Sequence, residues 1–189
     1  MRRQLFTDDY TIYWPKEFEQ VVEFLKERGN QEGEVFSNNM EVIVFAAAVG
    51  LKEGRKPKET DKKQRNEIAL STFLGRDEEK SLAEIIYLVA LCDREDSNVD
   101  ISFMRNPEGE RRALEIFQSY AAGGLAVLNE LWLSARTRTP QRFVYETVEL
   151  LAGRELQEGR AGDRNSESAR DLHPGNTSVS DAEFDFPIG

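Results

Sequence analysis

The sequence predicts a mainly α-helical fold, a compact bundle of about five helices followed by a disordered tail. Apolar residues recur at helical spacing in several separate segments of the chain. One of these segments, residues 42–49, is apolar on nearly every face, and such a helix must be enclosed by other elements. Beyond Gly153 apolar residues become rare until Phe184, so burial there cannot offset the entropy of ordering the chain. We therefore expect a helical domain at residues 1–153 and a disordered acidic tail at residues 154–189.

The first elements are a short candidate strand and an amphipathic helix. Residues 11–14 are of strand-forming types, and Pro15 suits the first position of a helix. Gly29 is expected to end this helix. Its apolar stripe has the spacing i, i+3, i+4, i+7 and consists of Phe18, Val21, Val22 and Leu25.

The second helix is predicted to be the centre of the core and to run from a cap at Asn38 to Gly50. Glu41, three residues after the cap, can reach back to the amide of Asn38. Gly50 is expected to end the helix in a Schellman motif, with Leu51 making the hydrophobic contact that accompanies it. The helix then leads directly into a basic segment at the surface.

The next two segments differ in how clearly they indicate a structure. Residues 66–74 fit one face of a strand and also one face of a helix, so a small strand pair is compatible with the sequence. The third helix is predicted to begin at a capping box formed by Ser81 and Glu84. Its buried stripe consists of Leu82, Ile85, Ile86 and Val89.

The fourth and fifth helices begin at Asn106–Pro107 and at Thr139–Pro140. Gly123–Gly124 interrupts the fourth helix at a cost of about 1 kcal/mol per glycine relative to alanine. We expect a close approach of another helix, or a kink, at this point. The inner face of the fourth helix consists of Leu114, Phe117, Tyr120, Ala121, Leu125, Leu128 and Leu131. The inner face of the fifth consists of Phe143, Val144, Thr147, Val148 and Leu151.

Composition indicates a globular protein of the cytoplasm. Apolar residues form 39% of the chain, and no stretch approaches the ~20 apolar residues of a membrane span. The N-terminal arginines are followed by no apolar core, so a secretory signal is not expected. One cysteine fits a reducing compartment. We expect no association with membranes.

The net charge of −10 disfavours non-specific binding of nucleic acid by the whole molecule. Residues 154–189 hold eight acidic and four basic side chains, which leaves −6 for the preceding residues. Residues 55–65 differ from this background, because they hold six basic and two acidic side chains, a local charge of +4. Basic side chains in such a cluster can neutralise phosphates. The candidate DNA-contacting residues are Lys52, Arg55, Lys56, Lys58, Lys62, Lys63 and Arg65.

A solvated loop with no partner is the alternative interpretation of this basic segment. In either case its charges are expected to be exposed. Because exposed charges contribute little to folding, replacing Arg55, Lys56 and Lys58 with glutamine is expected to leave thermal stability nearly unchanged.

The residues offer little for catalysis, so we predict no catalytic residues and no cofactor. The only histidine, His173, lies in the predicted tail, where the held geometry that a general base needs is missing. Without a second histidine, neither a Ser–His–Asp triad nor a histidine zinc site can form in the folded part. Cys92 lies beside Leu88, Val89 and Leu91, and we expect its thiol to be buried.

The stretch Asp93–Asp100 contains oxygen-bearing residues on alternate positions, as at the start of a calcium loop. The match fails afterwards, because Ile101 occupies the position that requires glycine and Pro107 the position of the final glutamate. The favoured interpretation is a helix end followed by a turn. A metal site built on Asp96, Asn98 and Asp100 is the alternative.

Taken in order, these segments resemble a small bacterial family, DNA phosphorothioation-associated protein 4. The resemblance runs from roughly Trp14 to Leu133 and is carried most specifically by FAAAVGLKEGR at residues 45–55 and YAAGGL at residues 120–125. It implies an accessory of the Dnd system, which replaces a non-bridging phosphate oxygen of DNA with sulfur and defends against foreign DNA. The family pattern supplies no established catalytic residues.

Three functions follow as hypotheses. The leading one is a non-enzymatic accessory of DNA phosphorothioation and anti-phage defence that contacts DNA phosphates or a protein of the modification or restriction complex. The first alternative is a protein–protein adaptor with no nucleic-acid contact. The second is a metal-dependent enzyme that uses the Asp93–Asp100 carboxylates.

Overall fold

The computed structural model describes residues 10–27, 34–57, 64–74, 82–93, 106–135 and 139–153. Within these residues the chain is mainly helical, as predicted, and contains one two-stranded antiparallel sheet, which the sequence left open. It has six α-helices where about five were predicted. The elements in order are β1 (Thr11–Pro15), a 3-10 turn (Lys16–Phe18), α1 (Glu19–Lys26), α2 (Asn39–Lys52), β2 (Arg65–Ala69), α3 (Leu70–Leu74), α4 (Ala83–Leu91), α5 (Pro107–Ser134) and α6 (residues 140–153).

The chain divides into a unit at Met1–Glu149 and a unit at Leu150–Gly189. Residues 150–153 are the described part of the second unit and are helical. The predicted tail at residues 154–189 lies outside the described residues, and so does His173. None of the helices in the described ranges has the length and apolar content that crossing a membrane requires.

Helix α2 begins at the predicted cap. The Asn38 side chain accepts a hydrogen bond from the Glu41 amide at 3.1 Å. The Glu41 carboxylate in turn accepts from the Ser37 amide at 2.6 Å, one residue before the amide that we predicted. These bonds satisfy amide groups that the first turn of a helix leaves without partners.

The predicted end of α2 at Gly50 is wrong, because the helix continues to Lys52. The Schellman motif lies four residues later, where Gly54 adopts a positive φ of 59°. The Gly54 amide donates to the Leu51 carbonyl at 3.2 Å, and the Arg55 amide donates to the Gly50 carbonyl at 2.9 Å. Both bonds are those that define the motif, and only glycine adopts its left-handed position without strain.

Gly50 instead lies at the crossing of α2 with α5, the most extensive contact between elements of the fold. A Cβ atom at Gly50 would lie 2.0 Å from the Tyr120 carbonyl oxygen, and one at Gly124 would lie 1.7 Å from the Ala46 carbonyl oxygen. The two backbones therefore touch directly. This confirms the close helix approach predicted from the paired glycines of α5.

The inner face of α5 is largely as predicted. Asn106 caps the helix by accepting from the Gly109 amide at 2.8 Å, and Pro107 occupies its first turn. Leu131, expected on the inner face, is only half-buried. On α6, Phe143 and Thr147 are buried, whereas Val148 is exposed, contrary to prediction. Buried residues of α5 include Leu114, Phe117, Tyr120, Ala121, Leu125 and Leu128.

Residues 66–74, which fit both a strand and a helix in the sequence, contain part of each in the structure. Residues 65–69 form β2 and residues 70–74 form α3, so both interpretations of this stretch were partly correct. β2 pairs antiparallel with β1, in a register that runs from Thr11↔Ala69 to Pro15↔Arg65. Pro15 thus ends a strand instead of starting a helix, and α1 begins at Glu19.

Helix α4 differs from prediction at both ends. Its N-cap position is Leu82, which makes no side-chain cap bond, and Ser81 lies outside the described residues. At the other end Cys92 is exposed, so the expectation of a buried thiol is wrong. Cys92 follows Leu88 by four residues and shares its outward face, because Leu88 is itself 58% exposed. The inward face at this end carries Val89 and Asp93.

Candidate functional site

The structure places only part of the basic segment. Lys52, Arg55, Lys56 and Arg65 are described, whereas Lys58, Lys62 and Lys63 lie outside the described residues. Lys52 is exposed in the last turn of α2, and Arg65 is half-buried at the start of β2. Arg55 and Lys56 come directly after Gly54; Arg55 contacts α5, and Lys56 contacts Asp93, two residues after the end of α4.

The backbone of Arg55 is held directly against α5. A Cβ atom at Gly123 would lie 1.8 Å from the Arg55 carbonyl oxygen. Any residue other than glycine at this position would push the segment after α2 away from the helix. Gly123 therefore fixes the direction in which the two basic side chains leave the core.

Lys56 forms an ion pair with a buried carboxylate. Its Nζ atom lies 2.8 Å from Asp93 Oδ1 and 2.9 Å from Asp93 Oδ2. The Asp93 side chain is 0% exposed and that of Lys56 is 22% exposed. A carboxylate removed from water in this way requires a partner of opposite charge, and Lys56 supplies it.

Tyr120 completes what we call the Lys56 cluster, made of Lys56, Asp93 and Tyr120. Its hydroxyl donates to Asp93 Oδ1 at 2.9 Å, in a buried position. The Lys56 ammonium also lies 4.8 Å from the centre of the Tyr120 ring, within range of a cation–π interaction. Burial raises the pKa of Tyr120, and so do its hydrogen bond to Asp93 and the charge of that carboxylate. The hydroxyl therefore stays protonated and continues to donate at neutral pH.

Arg55 forms a second ion pair, with Glu130 of α5. Its two terminal nitrogens donate to Glu130 Oε2 at 2.8 Å and to Oε1 at 2.6 Å. This bidentate hydrogen bond lowers the pKa of Glu130 and raises the pKa of the Arg55 guanidinium. The two side chains are 44% and 60% exposed, so solvent screens the pair and its contribution to stability is small.

Together the two ion pairs neutralise the part of the basic segment nearest α2. The positive charges of Arg55 and Lys56 are matched by the negative charges of Glu130 and Asp93. A phosphate could reach Lys56 only by competing with a buried carboxylate. The expectation that glutamine at Arg55, Lys56 and Lys58 would leave stability unchanged is therefore withdrawn, because Lys56 compensates a buried charge.

Asp93, the first carboxylate of the Asp93–Asp100 stretch, belongs to the Lys56 cluster. Asp93 is bonded to Lys56 and Tyr120, while Asp96, Asn98 and Asp100 lie outside the described residues. Among the residues that the structure describes, no three histidine, cysteine, aspartate or glutamate side chains are grouped so as to hold a metal ion.

Sequence reasoning missed the buried ion pair of Asp93. Its position was interpreted as a turn, yet it follows Ile86 by seven residues and Val89 by four. That spacing extends the buried stripe of α4 and predicts an inward carboxylate. A buried carboxylate implies a cationic partner, but nothing in the spacing indicates which lysine it is.

Comparison with known families identifies the chain. The family model for DNA sulphur modification system-associated protein 4 matches residues 11–159. Comparison with curated proteins gave no match, and neither did comparison with solved structures. The matched region contains the two strands and six helices of the described residues, and the whole Lys56 cluster. Because the match spans well over half of the chain, this protein belongs to the DNA sulphur modification system-associated protein 4 family.

Proposed function

We propose that this protein is a non-enzymatic accessory of the DNA sulphur modification system and acts as a protein–protein adaptor within it. Membership of the family implies association with such a system. The observation that carries the adaptor role is the ion pairing of Arg55 and Lys56. These two residues are among the seven candidates for phosphate contact, and each forms an ion pair within the domain.

The energetics favour this assignment over DNA contact at the same residues. Removing the partner of a buried charge costs about 3–5 kcal/mol. A phosphate contact made by Lys56 would have to offset a penalty of that kind, because Asp93 would lose its partner. A lysine used for DNA is normally exposed and exchanges counterions for a phosphate at no such cost. Lys56 therefore stabilises the fold by compensating the Asp93 carboxylate.

The charge of the remaining chain points in the same direction. The net charge is −10, so the protein as a whole repels nucleic acid. Residues 58–63 hold three basic and two acidic side chains, a net of only +1. An acidic accessory is instead suited to a protein partner that presents a basic surface. Proteins that handle DNA commonly carry such surfaces.

Capture from cells that carry the modification genes tests the adaptor role. The tagged full-length protein is purified with and without nuclease treatment, and the bound proteins are identified by mass spectrometry. We expect proteins of the modification system to remain bound after nuclease treatment, since the contact is made by protein. The Gly124→Ala variant, captured at a temperature at which circular dichroism shows it unfolded and the parent folded, reports non-specific capture.

Two results would contradict this assignment. One is loss of all system proteins when nucleic acid is removed, which would indicate a bridge through DNA. The other is equal recovery of the same proteins with the Gly124→Ala variant, which would mean that capture does not require the folded domain.

A further inference from the structure

The two ion pairs of the basic segment differ in what it costs to open them. The Asp93 side chain is 0% exposed, so loss of Lys56 would leave a buried carboxylate without its cation. The side chains of Arg55 and Glu130 are 44% and 60% exposed, so both groups recover water when they separate. An exposed pair of this kind typically changes an equilibrium constant by about fivefold or less. The Arg55 pair can therefore open while the fold stays intact.

The position of the Arg55 backbone does not depend on Glu130. The Arg55 amide donates to the Gly50 carbonyl at 2.9 Å. The Arg55 carbonyl oxygen lies against α5, at the point where a Cβ atom on Gly123 would come within 1.8 Å of it. Both contacts are made by the backbone. Replacing Glu130 would therefore leave the Arg55 side chain attached at the same place on the surface, without the carboxylate that now binds its guanidinium.

Arg55 presents to Glu130 the same donors that a phosphate would use. Its two terminal nitrogens donate to Glu130 Oε2 at 2.8 Å and to Oε1 at 2.6 Å. Two parallel N–H donors of a guanidinium match two oxygens of a carboxylate or two oxygens of a phosphate. The same donors cannot bind both groups at once. The hydrogen bond from Arg55 also lowers the pKa of Glu130, so the carboxylate stays charged at neutral pH and competes with a phosphate.

We propose that Glu130 is an autoinhibitory group, whose carboxylate occupies the donors of Arg55 that would otherwise bind a phosphate of DNA. DNA is the source of the phosphate because the family is associated with a DNA sulphur modification system. Arg55 makes no DNA contact while Glu130 holds it, and it makes one phosphate contact once Glu130 is removed or bound elsewhere. In the adaptor role proposed above, a basic residue of the partner protein releases Arg55 by binding Glu130. That release rests on the proposed function, whereas the autoinhibition itself does not.

Neutralising Glu130 tests this contact with the purified full-length protein alone. Glu130→Gln removes the competing carboxylate and keeps the size of the side chain. Glu108→Gln is the matched control, because Glu108 is exposed in the first turn of the same helix and its loss changes the net charge equally, from −10 to −9. Arg55→Gln combined with Glu130→Gln removes the guanidinium as well and returns the net charge to −10. Fluorescence anisotropy of a labelled DNA duplex gives the affinity of each protein over a salt series.

We expect Glu130→Gln to bind DNA about two- to fivefold more tightly than Glu108→Gln at low salt, because the competing carboxylate is gone. Its salt slope should be greater by about 0.9, the value for one phosphate. The combined variant should lose both gains.

Three results would overturn the inference. The first is equal DNA affinity of Glu130→Gln and Glu108→Gln, and the second is a gain that persists when Arg55 is also replaced. The third is the absence of DNA binding by every one of these proteins at low salt. None of the three affects which proteins are captured from cells, so the adaptor role is tested separately. Circular dichroism confirms that each variant is folded.

Discussion

Gly124→Ala is expected to destabilise the domain by about 3 kcal/mol or more, a large share of the stability of a typical domain. The new Cβ atom would lie 1.7 Å from the Ala46 carbonyl oxygen and 2.8 Å from the Gly50 amide nitrogen. Both are backbone atoms, so no side-chain rotation can relieve the overlap, and α2 and α5 must separate. Helix propensity alone predicts the opposite sign, because alanine is favoured over glycine by about 1 kcal/mol in a helix interior.

Urea unfolding of the two proteins measures this difference. Gly153→Ala is the matched control, because it makes the same chemical change in a helix where a Cβ atom would meet nothing within 4 Å. We expect that control to be as stable as the parent or slightly more stable. A Gly124→Ala protein that unfolds at the parent's urea concentration would show that the two backbones do not touch.

Lys56→Gln is expected to lower the free energy of unfolding by about 3–5 kcal/mol. The change leaves the Asp93 carboxylate, which is 0% exposed, without a cation. Asp93→Asn should cost less, because the Lys56 side chain is 22% exposed and its ammonium can recover water. Lys16→Gln is the matched control for the loss of an exposed lysine elsewhere in the domain, and should change stability by about 0.5 kcal/mol at most.

A double-mutant cycle separates the ion pair from other effects of these changes. The double variant Lys56→Gln with Asp93→Asn contains no buried charge, so it should be more stable than the sum of the single effects predicts. Additive losses would mean that Lys56 and Asp93 do not interact. A Lys56→Gln protein as stable as the Lys16→Gln control would show that Lys56 is an ordinary surface residue.

The sequence was sufficient to predict the helices, because their signals are local. The cap at Asn38, the start at Asn106–Pro107 and the inner face of α5 each depend on residues within a few positions of one another. The closest contact of the fold was also foreseen, since two adjacent glycines inside a long apolar helix require a compensating approach. The local pattern does not indicate which element approaches these two glycines.

The errors came from residues whose roles are set by tertiary contacts. Gly50 has the composition of a helix terminator, but its small size serves the crossing with α5, and Gly54 takes over the terminating position. The basic segment was interpreted as exposed because seven basic residues lie close together in the sequence. Its pairing with Asp93 and Glu130, which follow Lys56 and Arg55 by 37 and 75 positions, is not visible in any local pattern.

Titration of duplex DNA with the full-length protein tests most directly whether the basic segment contacts phosphates. Fluorescence anisotropy is followed over a salt series for the parent, for Lys62→Gln with Lys63→Gln, and for a control pair, Lys16→Gln with Arg111→Gln, that removes exposed charges elsewhere. An adaptor whose Arg55 and Lys56 are paired within the domain should bind DNA weakly, and the three proteins should give equal affinities and equal salt slopes. The contradicting result is tight binding by the parent, with a slope of about 0.9 per phosphate, that Lys62→Gln with Lys63→Gln reduces and the control pair does not.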